Sequence, residues 1–218
     1  LRKILVVAQI AGSLALLIVA GLFVRSLLIA KNIDLGFDAP HLASVRIDPK
    51  QIEYDYGRRE EFFKDLQRRV SAWPEVDGAA YAFSMPMSYL AGGGTVYVEG
   101  QTFAADAQPP AAFLDRVGLD FFKTMKIPIV AGREFLETEM PVTHLDRRAV
   151  IVNQAFAEKF WPGQNAIGKR MRVFDADGPL LEVVGVAANS KTVLVFEDTR
   201  TFIYLPLDKD SSLRTLVI

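Results

Sequence analysis

The residues best suited by type and spacing to chemistry are Gly163 to Arg170, GQNAIGKR. They match the pattern G-x-x-x-x-G-K, in which backbone amides cradle phosphate, but Arg170 stands where that loop needs a Ser or Thr for magnesium. Such a loop also follows a strand and opens a helix. Here a helical stretch and Trp161-Pro162 come before it and the strand-like KRMRV after it, so nucleotide binding is not expected. Gly92, Gly93 and Gly94 could let a backbone wrap an anion, yet no helix follows them, and they read as a flexible loop or hairpin tip. His41 and His144 are the only histidines and lack the close partner a metal site would use, so they read as surface or capping residues. Cysteine is absent, which removes thiol catalysis, thiolate metal sites and disulfides. No spacing among the carboxylates selects a catalytic pair, and no G-x-S-x-G elbow exposes a serine. No catalytic, cofactor-binding or metal-binding residue is expected, and the chain is not read as an enzyme. Phe121, Phe122, Phe156, Phe160 and Trp161 have the spacing of packing residues on short helices.

The element that must position everything else is Ile4 to Val24, ILVVAQIAGSLALLIVAGLFV, without charge or proline and fenced by Arg2, Lys3 and Arg25. At a rise of about 1.5 Å per residue a helix of this length reaches about 30 Å, the thickness of a bilayer's hydrocarbon core. It reads as a transmembrane helix. A soluble core helix would keep a polar stripe, and only Gln9 and Ser13 interrupt this run. A cleavable signal would have a shorter centre and a small-residue cleavage site, where this one runs into LFVRSLL. Basic residues flank both ends, so charge does not decide orientation. Ala8, Gly12 and Ala15 share a face that lets helices approach closely, and Gln9 and Ser13 could hydrogen-bond to a neighbouring span. These residues, Ala8, Gln9, Gly12 and Ser13, are the candidates for helix packing in a bundle; small residues are also simply common in membrane helices.

The rest of the chain, about 190 residues, is long enough for a proper core. Its 25 basic against 26 acidic residues make no field to gather nucleic acid. The spacing predicts a strand at LASVRID, where Ala43, Val45 and Ile47 alternate with Ser44, Arg46 and Asp48, and Pro49 ends it. A helix follows from about Tyr56 to Ala72 with Phe62, Phe63, Leu66 and Val70 on its apolar face, stopped by Pro74. Val76 to Phe83 reads as a second strand. Strand, helix and strand make half of a split βαβ, ferredoxin-like unit that needs partner strands. MSYLAGGGT then reads as loop, TVYVEG and AAFLDRV as strands and LDFFKTMK as a short helix. RRAVIVN is a strand, NQAFAEKFW a helix with Asn153 at its cap, and KRMRVF, PLLEVVGVAA and RTFIYLP are further strands. LRTLVI would begin the missing partner half. The expected fold is therefore α+β: residues 1–31 the transmembrane helix and its flanks, 32–85 the first βαβ half, 86–210 an inserted β-rich subdomain, and 211–218 the start of a second half, in a fragment truncated at its C-terminus.

LRKILVVAQIAGSLALLIVAGLFVRSL, the Gly36-Phe37 pair, Trp73-Pro74-Glu75-Val76, GLDFFKTMKIPIVAGREF, AVIVNQAFAEKFWPGQNAIGKRM, EVVGVAAN and FIYLP occur in that order. In this the chain resembles the MacB/FtsX-like ABC transporter permeases over nearly its whole length. It departs from them at Leu119-Asp120-Phe121-Phe122, where a tyrosine often precedes the phenylalanine, and at Glu75, where glycine is frequent. The opening words are most similar to the second half of duplicated permeases. The resemblance implies that 32–218 is a periplasmic core domain outside the bacterial inner membrane, in a multi-pass protein with further spans after Ile218. It implies a permease subunit without catalytic residues, coupling ATP hydrolysis by a cytoplasmic ABC ATPase to motion of the outer domain, for export or release of a substrate. Its partners would be membrane lipid, that ATPase, further permease spans or a second permease unit, and periplasmic adaptor proteins. The alternatives are a single-span anchored binding or sensor domain and, with less behind it, an anchored hydrolase.

Overall fold

The computed structural model describes residues 2–31, 33–49, 54–88, 92–101, 108–192, 194 and 198–218. They form two compact units, 1–34 and 35–218. The first is one helix, α1 (Arg2–Lys31), long and apolar enough to cross a membrane and with no residue buried. Ala8 lies one turn before Gly12 and Gln9 one turn before Ser13, all four exposed, and a Cβ at Gly12 would meet nothing within 4 Å.

In the second unit three strands share one layer: β1 (Ser44–Ile47), β2 (Ala80–Ala82) and β10 (Arg214–Val217). β10 lies between the other two and is antiparallel to both. β1 and β2 therefore run parallel, joined by the helix α2 (Tyr56–Ser71). Asp55 caps that helix, accepting from the Arg58 amide at 2.8 Å, and Pro74 lies just beyond its end. Its apolar stripe, Phe62, Phe63, Leu66 and Val70, packs on Tyr81 and Leu216. Buried Arg214 pins it, bonding Glu60 Oε2 at 2.8 Å while its guanidinium lies 4.3 Å from the Phe63 ring centre. LRTLVI is thus the middle strand of this layer. The second predicted strand is shorter than Val76 to Phe83, because a turn after Trp73 delays it until Ala80.

The other strands close on themselves. β3 (Gly92–Val98) and β4 (Ala111–Val117) pair antiparallel, β3 pairs β7 (Arg170–Val173), and β7 pairs β8 (Leu181–Ala187). β8 lies parallel to β6 (Ala149–Asn153), β6 antiparallel to β9 (Phe202–Pro206), and β9 parallel to β4. The result is a six-stranded barrel. Alternation decides what fills it: Val150, Val152, Ile203 and Leu205 point inward, whereas Ile151, Phe202 and Tyr204 point outward. The outer set packs against α3 (Phe121–Met125) and the free face of the three-strand layer, at Ala80, Ala82 and Val217. The short strand β5 (Ile129–Gly132), not foreseen from the sequence, pairs with the end of β8.

Gly92 to Gly94 depart from the loop reading: they belong to β3 and pair with Leu114, Phe113 and Ala112. Of the three only Gly94 is crowded: a Cβ there would lie 2.8 Å from Leu114 Cδ2 and 3.0 Å from Phe174 Cε1, side-chain ends that would have to give way, whereas one at Gly92 or Gly93 would make only ordinary contacts. The rest of the predicted loop includes residues 89–91, which lie outside the described residues.

Candidate functional site

One end of the barrel is plugged by α4 (Gln154–Phe160). Phe156 and Phe160 stack with ring centres 4.3 Å apart and, with Trp161, join the cluster inside the barrel. Asn153 positions this plug as its sequence position predicts. Its Oδ1 accepts from the Phe156 amide at 2.9 Å and the Phe202 amide at 3.0 Å, and its Nδ2 donates to the Arg200 carbonyl at 2.7 Å. Asn189 adds a second cap, accepting from the Ala155 amide at 3.0 Å. The loop GQNAIGKR leaves α4 for β7: Lys169 Nζ donates to Gln164 Oε1 at 2.9 Å, and a strand follows it where a phosphate loop needs a helix.

The opposite end is where β3 and β6 begin and β4, β7 and β9 end. This mouth is lined by two cavities of about 500 and 230 Å³ that share His144, Arg147, Phe174 and Leu205. Arg147, just before β6, and Asp208, just after β9, form a buried ion pair across it. The segment after β9 is held by the Lys209 and Asp210 amides, which donate to the carbonyls of Pro141 and Val142. Arg116 lies 3.9 Å from the same carboxylate oxygen and stacks on Phe83 with its guanidinium 3.7 Å from the ring centre. Burial pushes the Asp208 carboxyl up against the opposing pull of Arg147, and burial pushes the Arg147 guanidinium down. Arg147 Nε and Asp208 Oδ1 have no hydrogen-bond partner among the described residues. Such a mouth offers shape, with the two unpaired atoms buried beneath its surface.

The sequence-predicted packing residues Ala8, Gln9, Gly12 and Ser13 belong to the helical unit and are not part of this mouth. His144 lies at the mouth; His41 lines a different cavity of about 780 Å³, where its Nδ1 lies 2.7 Å from Asp38 Oδ1. Among the described residues no three His, Cys, Asp or Glu side chains gather as a metal site would require. Sequence reasoning passed over Arg147 and Asp208. The available signal was a charge at the end of an apolar strand, RRAVIVN and FIYLPLD, where a barrel rim places side chains.

Residues 4–217 match the family described as the MacB-like periplasmic core domain. Among solved structures the chain is similar to the periplasmic region of MacB from Actinobacillus actinomycetemcomitans, with 13% identity and a TM-score of 0.49 over 84% of this chain and 75% of that one. It is also similar to the extracellular domain of the noncanonic ABC-type transporter YknZ from Gram-positive bacteria, with 15% identity and a TM-score of 0.44 over 71% of each chain. No match is found among curated proteins.

Proposed function

This chain belongs to the family of MacB-like periplasmic core domains, and from that premise we propose that it is part of an ABC-type transporter permease, with α1 anchoring it in the bacterial inner membrane and 35–218 standing outside. It does no chemistry of its own. A cytoplasmic ABC ATPase supplies the energy, further spans or a second permease unit pack beside α1 at Ala8, Gln9, Gly12 and Ser13, lipid surrounds the helix, and a periplasmic adaptor meets the outer domain. In this reading 32–85 and 211–218 make a split βαβ base, and 86–210 is the β-rich insertion.

The observation that carries the proposal is the pairing of Ala43 with Ile218. The Ile218 amide donates to the Ala43 carbonyl at 3.0 Å and the Ala43 amide to the Ile218 carbonyl at 2.8 Å. The segment that leads in from α1 is thereby tied beside Ile218, the residue that follows β10. A span following Ile218 would act on the domain through the same two-strand clasp as α1, which is the arrangement a permease needs to turn relative motion of spans into motion outside. Topology tests it. Because the chain has no cysteine, Glu158→Cys on exposed α4 should react with a membrane-impermeant maleimide in cells whose outer membrane is permeabilised. Protection until the inner membrane is lysed would overturn the proposal.

A further inference from the structure

The mouth of the barrel contains a strand edge that has no backbone partner among the described residues. β3 pairs with β7 at Val96↔Val173, Tyr97↔Arg172 and Val98↔Met171, and the Phe174 amide reaches the Thr95 carbonyl at 2.9 Å. Continued in that register, Ala176 would stand opposite Gly93. It does not, because Phe174 has φ +74 and the chain turns through Asp175 to Gly178 toward β8, the Gly178 amide donating to the Asp175 carbonyl.

Backbone alternation fixes what this leaves exposed. The Val96 amide donates to the Pro110 carbonyl, so Val96, Gly94 and Gly92 face β4, and Thr95 and Gly93 face the other way. Gly93 therefore directs its N–H and C=O along the line that β7 vacates, and it finds no backbone partner there among the described residues. Gly92 and Gly93 are exposed. Beside them the cavity of about 500 Å³ holds apolar Leu114, Leu205 and Phe174, the last 54% exposed. Its Arg116 and Arg147 balance Asp208 and Asp210.

We propose that this mouth binds an extended, uncharged peptide segment of a second polypeptide, which adds to β3 at Gly93 in the place β7 leaves and sets an apolar side chain against Phe174. Each feature selects that chemistry. An extended peptide is the ligand that offers a donor and an acceptor at strand spacing, as recognition by strand addition requires. Balanced charge in the cavity disfavours an acidic or basic segment, and the apolar wall asks for a side chain to desolvate it.

The test uses the full chain in phosphatidylcholine nanodiscs, labelled with ¹⁵N-glycine and titrated with the peptide acetyl-SVAVS-amide. The Gly92 and Gly93 amide signals should shift and saturate, while that of Gly163, beside the plug at the other end, stays in place. The same peptide N-methylated at its central residue, which loses the backbone donor, should bind at least about tenfold more weakly. Gly93→Pro removes the outward N–H at an edge position where proline is tolerated, and should weaken binding to a similar degree. Gly93→Ala keeps that N–H, and should stay within about threefold of the parent as read at Gly92. The N-methylated peptide leaves the protein untouched, so the inference stays testable if the proline variant does not fold. No shift up to about 5 mM peptide, equal binding of the N-methylated peptide, or equal movement of Gly163 would each overturn it.

Discussion

Asp115 holds Ser84 twice across the narrowest joint in the domain, accepting from its hydroxyl at 2.7 Å and its amide at 3.2 Å. β2 and β4 share a single paired couple, Ala82↔Val117, so this carboxyl reinforces the link between the three-strand layer and the barrel. Burial pushes it up to about 7, with the Ser84 hydroxyl and the Arg116 and Ser84 amides pulling the other way.

The folded pKa lies above the ordinary carboxylate value, so the folded state binds the extra proton between about pH 4 and 7. The contribution of Asp115 to stability should be greatest below that window, fall by on the order of 4 kcal/mol as pH rises through it, and level off above it. Asp115→Asn imitates the protonated carboxyl, donating to the Ser84 hydroxyl while its carbonyl still accepts from the amides. Denaturant unfolding at pH 5 and pH 8 should show the variant ahead of the parent by roughly 1.5 kcal/mol at the lower pH and by about 4 kcal/mol at the higher. Equal pH slopes in the two proteins would refute the assignment.

The clasp of β1 on β10 can be locked. Arg46 and Thr215 face each other in the antiparallel ladder, and the reciprocal bonds at Ala43 and Ile218 make theirs a couple of the closely spaced, non-hydrogen-bonded kind. That spacing suits a disulfide. Arg46→Cys with Thr215→Cys closes a long loop, for which chain entropy gives an upper figure of about 5 kcal/mol. Thermal unfolding in detergent should move up on oxidation and return on reduction. An unchanged midpoint with the bond shown to be formed would mean that these strands part independently of the domain's unfolding.

How much of this architecture could be read along the chain depends on how local each cause is. The apolar helix α1 is written in consecutive residues, and α2 in the spacing of Phe62, Phe63, Leu66 and Val70 with a stop at Pro74; both helices stand in the structure where those signals placed them. Asn153 announces its own cap. Barrel closure is another matter, because it rests on Phe113 pairing with Phe202, a parallel register that no nearby residue encodes. The place of β10 between β1 and β2 is equally remote from its own six residues. The glycine triplet misleads because glycine is a common turn residue, while its place in β3 is set by pairing with Ala112 to Leu114, about twenty residues further on. The mouth draws Gly93, Arg116, His144, Arg147 and Asp208 from separate segments, so its composition is visible in the sequence and its assembly is not.

Gly132 should tolerate no side chain. It ends β5 at φ +71, and a Cβ there would lie 2.2 Å from the Val184 carbonyl oxygen and 3.0 Å from Gly185 Cα, both backbone atoms that cannot swing aside. Gly132→Ala combines left-handed strain of about 1–2 kcal/mol with displacement of the β5–β8 pairing, and should cost about 3 kcal/mol or more. A denaturant midpoint within error of the parent would show that β5 can lift from β8 at little cost.

The Arg147–Asp208 pair should prove a poor stabiliser that is nonetheless damaging to break. Both partners are buried, each leaves one polar atom unpaired, and burial shifts both pKa values toward the neutral forms despite their attraction. Removing one partner strands the other charge in the barrel mouth, so Arg147→Leu and Asp208→Leu should each cost about 3–5 kcal/mol. Arg116, at 3.9 Å from the same carboxylate, makes the loss of Asp208 the worse of the two, since two guanidinium groups then share only Asp210 as a counter-charge in that cavity. Replacing both Arg147 and Asp208 by leucine removes the desolvation penalty together with the attraction, and should cost less than either single change. A double-mutant cycle by urea unfolding measures this directly. If the two single losses simply add in the double variant, the residues stabilise the rim independently, and the mouth is held by its backbone contacts with Pro141 and Val142 rather than by the charge pair.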